Sequence, residues 1–399
     1  MSLFTNLPAA PRDPVLGITE AFRQDSRPGK VNLGVGVYLD ETGAIPLLEC
    51  VQRAEAIGEQ SPKPWGYLPI DGLSAYDSAV AKLVFGADSP AVAEGRVTTV
   101  QSLGGTGGLR LGAGLLALVD PSATVLVSDP SWENHEALFS RAGFAVGRYP
   151  YYDPARRGVD VEAMLAGLAA ADPGTIVVLH ACCHNPTGYD LSAETWERVL
   201  EVVAERGLVP FLDMAYQGFA TGIDEDAAVV RRFAESGLSC LVATSFSKTF
   251  SLYGERVGAI NVVSASPEEA ATVLSQVKVV QRTLISNPPT HGARLVSTVL
   301  GSEDLTGLWH AEVAGMRERI RTMRSALRDG LADEGIDAAF VTEQTGMFSY
   351  SGLSADQMRR LRADHAVYGL DSGRLCVAAL NPDNLGRVVA AVAEVSRAG

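Results

Sequence analysis

From about residue 96 onward, short apolar runs alternate with longer stretches that return an apolar residue every three or four positions. The runs at 96–101, 124–127, 175–179, 208–212, 240–243 and 258–263 predict strands. Between them, Leu109 to Val119 predicts an apolar helix and Pro267 to Val280 another. A third is amphipathic: Ser192 caps it, Trp196, Val199, Leu200 and Val203 follow the i, i+3, i+4, i+7 rule, and Gly207 ends it. Strands and helices in alternation predict an α/β fold, a mostly parallel sheet wrapped by helices. A long helix follows from about Leu308 to Leu331, with the stripe Trp309, Val313, Met316, Ile320, Met323, Leu327. Its arginines fall on the other faces and read as a solvated surface.

The ends of the chain have a different rhythm. Residues 1–14 are punctuated by proline and read as an extended arm, followed by a helix-like segment from Leu16 to Arg23. The tail, 338–399, holds short strands and helices that predict a smaller α+β unit, joined in space by the first forty residues. The expected division is an arm (1–14), a small domain (15–44 with 308–399) and a large domain (45–307).

Composition narrows the class. The 399 residues are 47% hydrophobic with mean hydropathy +0.11, as in ordinary globular chains. No apolar stretch approaches a membrane span, and no signal peptide is evident. A net charge of −14 argues against nucleic-acid or anionic-membrane partners, although a local arginine pair can still take an anionic substrate. The five cysteines are odd in number and lack metal spacing, which predicts reduced thiols in a cytoplasmic protein.

Against that background several polar strings stand out. Lys248 follows the apolar run 240–243 within Thr244–Gly258, where its amine can be a surface charge, an ion-pair partner or a nucleophile toward a carbonyl. Asp213 ends the apolar run 208–212; a carboxylate there needs a positive partner, unless it caps a helix or forms a structural ion pair. Gly104 to Gly108, between a strand and a helix, offers free amides to an anion, but G-x-G-x-x-G spacing is absent. Trp132 reads as core or as a ring stack, and Tyr67 as a plug under its loop or as a reaching side chain. His180 and His184, with Cys182 and Cys183 between them, suggest a metal; the Asn185–Gly188 turn and the lack of a second ligand cluster argue against one.

Taken together, S-F-S-K-x-F-S-L-Y-G-E-R-V-G, H-x-C-C-H-N-P-T-G, D-x-A-Y-Q-G-F and the W-G-Y-L-P-I-D-G loop resemble the class I aminotransferases. These are fold-type-I enzymes that use pyridoxal 5′-phosphate, and the likeness is greatest to the aspartate and aromatic amino acid branch. The strings keep the family's order over nearly the whole chain. The resemblance implies that the large domain binds the cofactor and that Lys248 bonds it covalently, then moves the proton between the substrate Cα and the cofactor's C4′. It assigns Asp213 to the pyridine nitrogen, Asn185 and Tyr216 to the phenolic oxygen, and Trp132 to the ring face, with His135 close by. Gly105, Thr106, Ser245 and Arg256 would hold the phosphate, with Tyr67 from a partner subunit. Gly36 and Arg374 would meet the substrate α-carboxylate, Arg374 as a fork, and the partner subunit's Arg282 would face the substrate side chain. A homodimer with shared sites and no metal is thereby implied.

The resemblance also implies transamination of aspartate and/or aromatic amino acids, with 2-oxoglutarate as acceptor. The alternatives are β-elimination or decarboxylation on the same scaffold, or a non-catalytic pyridoxal-phosphate-binding regulator. No basic helix-turn-helix segment before residue 30 supports the last. Three departures touch the substrate edge: Leu284-Ile285 where the family has Asn-Tyr, Gly66 before the tyrosine, and apolar Leu39 and Ile45 where aspartate-specific members carry Lys and Thr.

Overall fold

The predicted apolar runs are strands of one seven-stranded sheet in the computed structural model, which describes residues 2–10, 14–60 and 66–397. Trp65 and arm residues 1 and 11–13 lie outside the described residues. In chain order the strands are β1 (Val97–Leu103), β2 (Thr124–Asp129), β3 (Ala145–Pro150), β4 (Ile176–His180), β5 (Val209–Met214), β6 (Cys240–Ser245) and β7 (Val257–Val263). They lie in the order β1-β7-β6-β5-β4-β2-β3. β7 runs antiparallel to both neighbours; the remaining pairs are parallel. β3 was not among the predicted strands. It is an edge strand that carries Gly147, Arg148 and Pro150 and is largely uncovered, so it lacks the apolar run of a buried strand.

The central strands are apolar throughout because both faces are covered. Ile176 and Val178 belong to one core and Val177 and Leu179 to the other, and Phe211 and Leu212 divide the same way. The glycine run predicted as a turn is instead the first turn of helix α1 (Gly104–Val119). A Cβ at Gly108 would stand 2.7 Å from the Ala259 carbonyl oxygen, and one at Gly112 2.4 Å from the Phe211 ring. These glycines let α1 lie directly on the sheet, which brings its N-terminus down to the strand ends.

The long helix, α2 (Glu303–Asp333), is capped by Ser302 and buries the predicted stripe from Trp309 to Leu327. Its arginines correct the reading of a solvated face. Arg324 is buried and donates to the carbonyls of Val341, Thr345, Gly346 and Phe348. Arg317 and Arg321 donate to the carbonyls of Gly218 and Ala220. Guanidinium groups here satisfy loop carbonyls that would otherwise go unpaired, a use that helical periodicity does not signal. Trp309 donates its indole N–H to the Thr249 carbonyl (2.8 Å) and stacks on Phe250, so α2 grips the segment that carries Lys248.

The chain ends meet. Val31–Asn32 pairs in parallel with Val367–Tyr368, and Phe348–Tyr350 pairs antiparallel with Arg374–Cys376. Leu33 accepts a backbone hydrogen bond from Cys376 (2.7 Å), which sets Gly34 beside Arg374. Among the described residues, no helix is long and apolar enough to cross a membrane.

Candidate active site

The carboxyl ends of β4, β5 and β6 stand level: His180 is in register with Asp213, and Asp213 with Ala243. Open α/β sheets leave a crevice at these ends. Here it is a cavity of about 230 Å³ lined by Gly36, Gly105, Thr106, Trp132, Asn185, Asp213, Tyr216, Ser245, Lys248 and Arg256, with Leu109, His180, Ala215, Ser247 and Tyr253.

One end is built for an anion. Among the described residues no side chain caps the N-terminus of α1; the Gly104 amide donates to the Arg256 carbonyl (3.0 Å), and Gly105 and Thr106 line the cavity at the positive end of the helix dipole. Gly104 has φ +66°, and a Cβ there would meet the Arg256 guanidinium at 2.6 Å; one at Gly105 would meet Ser245 at 3.2 Å. Arg256 is held by the Ser247 hydroxyl (3.4 Å) and the Tyr253 carbonyl (3.1 Å).

The opposite end holds a buried carboxylate. Asp213 accepts from His135 Nε2 at 2.8 Å, and His135 Nδ1 meets the Ser131 hydroxyl at 3.0 Å. Burial alone would raise Asp213, but the His135 hydrogen bond, with His135 and Lys248 nearby, holds it below the usual carboxylate range. Among the described residues His180 has no hydrogen-bond partner at either ring nitrogen, and burial pushes it down to about 3, so it is neutral.

Between these ends stands Lys248, its amine 4.7 Å from the Tyr216 ring centroid. Burial lowers it to about 8; Asp213 opposes that shift, while Arg256 and Arg374 add to it. Tyr216 is pushed well up by burial and keeps its proton. Asn185 donates to the Tyr216 hydroxyl at 3.4 Å and accepts from Arg374 at 2.9 Å. Arg374, buried over the Phe348 ring, also donates to the Gly34 carbonyl, and its Nε has no partner.

The family model for aminotransferases of class I and II matches residues 28–392. The chain belongs to that family. It is 57% identical to an aspartate aminotransferase of Pseudomonas aeruginosa, over 99% of this chain and 100% of that protein. It is 48% identical to an aromatic-amino-acid aminotransferase of Escherichia coli, over 98% of this chain and all of that one. Among solved structures, an aromatic-amino-acid aminotransferase from Burkholderia pseudomallei, covalently bound to pyridoxal phosphate, superposes with a TM-score of 0.97 at 56% identity, covering 99% of this chain and 100% of that one.

In this aminotransferase three of the predicted site residues do not line the cavity: Arg374, which stands behind Asn185, and Tyr67 and Arg282. Tyr67 is 95% exposed. Arg282, also exposed, sits on the last turn of the helix Pro267–Leu284 and donates to the Ser286 hydroxyl. Both belong to one surface, because Gln281 donates to the Ile70 carbonyl and Asn287 to the Leu68 carbonyl. Leu109, His180, Ala215, Ser247 and Tyr253 were not singled out as site residues from sequence. Ser247 and Tyr253 stand inside the lysine segment, and His180 opens H-x-C-C-H, so position in those strings was the available signal. The aminotransferase's donors fit pyridoxal phosphate: amides, hydroxyls and a guanidinium for a phosphate, a depressed carboxylate for a ring nitrogen, and a buried amine between them.

Proposed function

We propose that this pyridoxal-phosphate-dependent aminotransferase moves amino groups between acidic or aromatic L-amino acids and a 2-oxo acid, 2-oxoglutarate, with Lys248 at the reacting centre. The carrying observation is the enclosed Lys248 amine, lowered to about 8, between a depressed carboxylate and an anion cradle. Pyridoxal phosphate, when bound, would supply the electron sink that makes the proton on the substrate Cα removable. This chain's residues do the rest. Near neutral pH a minor but ready fraction of Lys248 is unprotonated, fit to bond a carbonyl carbon and to take and return the Cα proton. Asp213, kept ionised, holds a proton on the cofactor's ring nitrogen. The Tyr216 hydroxyl and the Asn185 amide donate to its phenolic oxygen.

The α1 N-terminus with Gly105, Thr106, Ser245, Ser247 and Arg256 anchors the phosphate, and the Trp132 ring covers one face. Arg374, fixed by Asn185 and Gly34, turns its fork toward the substrate α-carboxylate next to Gly36. The apolar departure at Leu39, half-buried, supports acceptance of aromatic side chains. The relatives' names span aspartate and aromatic amino acids, and one neighbour from Psychrobacter was crystallised with aspartic acid.

The working unit in this reading is a cytoplasmic homodimer in which Tyr67 and Arg282 complete the neighbouring cavity. Their shared surface position outside their own cavity supports it, and five free, buried cysteines support a reducing compartment. The meeting of the chain ends supports a small domain of 15–44 with 308–399 that carries Arg374 against the large one, 45–307.

Lys248→Ala tests the centre. The variant should lose the near-ultraviolet to visible absorption of the covalently bound cofactor and nearly all turnover. A cofactor that still becomes irreversibly attached on borohydride reduction would place the covalent bond elsewhere.

A further inference from the structure

A second group of ligating side chains lies apart from the cofactor cavity. The sulfur atoms of Cys182 and Cys183 and a carboxylate oxygen of Asp226 are all within 4.8 Å of one another, and all three residues are buried. Consecutive residues in extended backbone send their side chains to opposite sides. Cys183 has φ +52°, a left-handed conformation uncommon outside glycine, and this breaks the alternation and lets the thiols meet. A second cavity, of about 400 Å³, reaches the group: Cys182 and Asp226 line it with Trp196, Thr221, Glu225 and Arg232.

We propose that Cys182, Cys183 and Asp226 form a binding site for one soft divalent cation of the zinc and cadmium type. Thiolate sulfur selects such ions over magnesium or calcium. In a tetrahedral zinc site with sulfur at about 2.3 Å and oxygen at about 2.1 Å, the ligand atoms stand about 3.6–3.8 Å apart. The three atoms need close only modestly, and the cavity supplies room for water as fourth ligand. Binding displaces one proton from each thiol to solvent, forms two metal–sulfur bonds and one metal–oxygen bond, and transfers no electrons. Without the cation both thiols are held above the usual range, Cys182 by its hydrogen bond with Cys183 and then by burial, Cys183 by burial; Asp190 and Asp226 reinforce this, whereas that hydrogen bond and Arg324 oppose it at Cys183.

Occupancy reaches the active site through one loop. Asp226 accepts from the amides of Gly218 (2.8 Å), Ala220 (3.0 Å), Thr221 (2.9 Å) and Gly222 (3.3 Å). The Cys183 thiol points to the Tyr216 carbonyl at 3.9 Å. A cation that recruits both side chains competes with these bonds and shifts the 216–222 segment, and Tyr216 with it.

The test is a titration of the cofactor-loaded protein with Cd²⁺ in a weakly coordinating buffer. Expected are a saturable sulfur-to-cadmium ultraviolet absorption at one ion per chain, release of two protons per ion, and loss of turnover that follows the absorption and reverses on adding a chelator; Mg²⁺ gives none of these. The double variant C182S/C183S should keep the cofactor absorption and basal turnover but lose the cadmium absorption and the inhibition. Should that variant fold poorly, the single Cys182→Ser should weaken affinity by at least about tenfold. Absence of saturable absorption overturns the site, and so does an unchanged affinity in Cys182→Ser or an absorption that survives in the double variant.

Discussion

The wall of the Lys248 cavity and the surface that carries Tyr67 and Arg282 are opposite kinds of construction. In and behind the wall, three buried groups are each set by named neighbours: Asp213 by His135, Tyr216 by Asn185, Arg374 by Asn185 and Gly34. On the surface, Tyr67 is almost wholly exposed, and among the described residues Arg282 is held by a hydroxyl four residues on. Chemistry that tunes protonation states needs low dielectric and fixed partners, so it belongs in the wall. Groups proposed to complete a neighbouring subunit's cavity, as Tyr67 and Arg282 are, can remain outside their own. The two regions should therefore respond differently to substitution.

Asp213→Asn breaks the wall. It removes the charge that, in the proposed function, would hold a proton on the cofactor's ring nitrogen, and leaves His135 facing a neutral amide. We expect kcat to fall by about 10³-fold, within the range of positioned acid–base groups, with acidic and aromatic substrates affected alike; steady-state kinetics on both classes checks this. A loss confined to one class would put Asp213 with the specificity residues.

Arg282→Ala breaks the surface and should be selective. With 2-oxoglutarate present, kcat/KM for aspartate should drop by about 10²-fold, roughly 2.7 kcal/mol of transition-state binding, while phenylalanine and tyrosine lose less than about tenfold. Mixing inactive Lys248→Ala with Arg282→Ala subunits sharpens the point. If the surface completes a neighbour's cavity, hybrid dimers regain part of the aspartate activity through one intact site. No recovery after verified subunit exchange would return Arg282 to its own chain.

A smaller effect is expected at Leu39, which with Val37 lines a further cavity, between the chain ends, and is not among the residues that line the Lys248 cavity. Leu39→Lys should shift the ratio of aromatic to aspartate kcat/KM toward aspartate by about tenfold, because apolar contact contributes on the order of 25 cal/mol per Å². An unchanged ratio removes Leu39 from substrate selection.

The smallest effect concerns the stability of the cofactor-free protein. Lys248 is lowered to about 8 when folded and is ordinary when unfolded. Between those values the unfolded chain binds more protons, so stability rises with pH there. Lys248→Met carries no buried ammonium and should exceed the wild type in Tm by a few degrees below pH 8. That advantage should vanish as pH rises toward about 10.4, the usual lysine value. Thermal melts of both cofactor-free proteins across that range measure it; a constant difference would deny that Lys248 is held low.

The strands, the amphipathic helices and the order of the polar strings were legible from the residues alone, since period and adjacency are local properties. Lys248 and Asp213 were conspicuous because each follows an apolar run, and a polar group at a buried strand end needs a reason; Asn185 stood out only through the family resemblance of its string. What the residues could not state is how those ends align. Only the register of β4 to β6 brings His180, Asp213 and the lysine segment to one edge. The glycines of α1 read as a turn, yet Gly108 and Gly112 serve a close approach to Ala259 and Phe211 that exists only once the sheet is built. Arg324 read as solvated, and folding buried it under four carbonyls from a distant segment. Proton affinities also waited for the fold: burial drives Lys248 down, while His135 overrides burial at Asp213. The sequence by itself determined which groups are present and which elements carry them. Tertiary structure decided their neighbours, their solvent and therefore their charge, because desolvation and Coulomb energies depend on distances the linear chain does not contain.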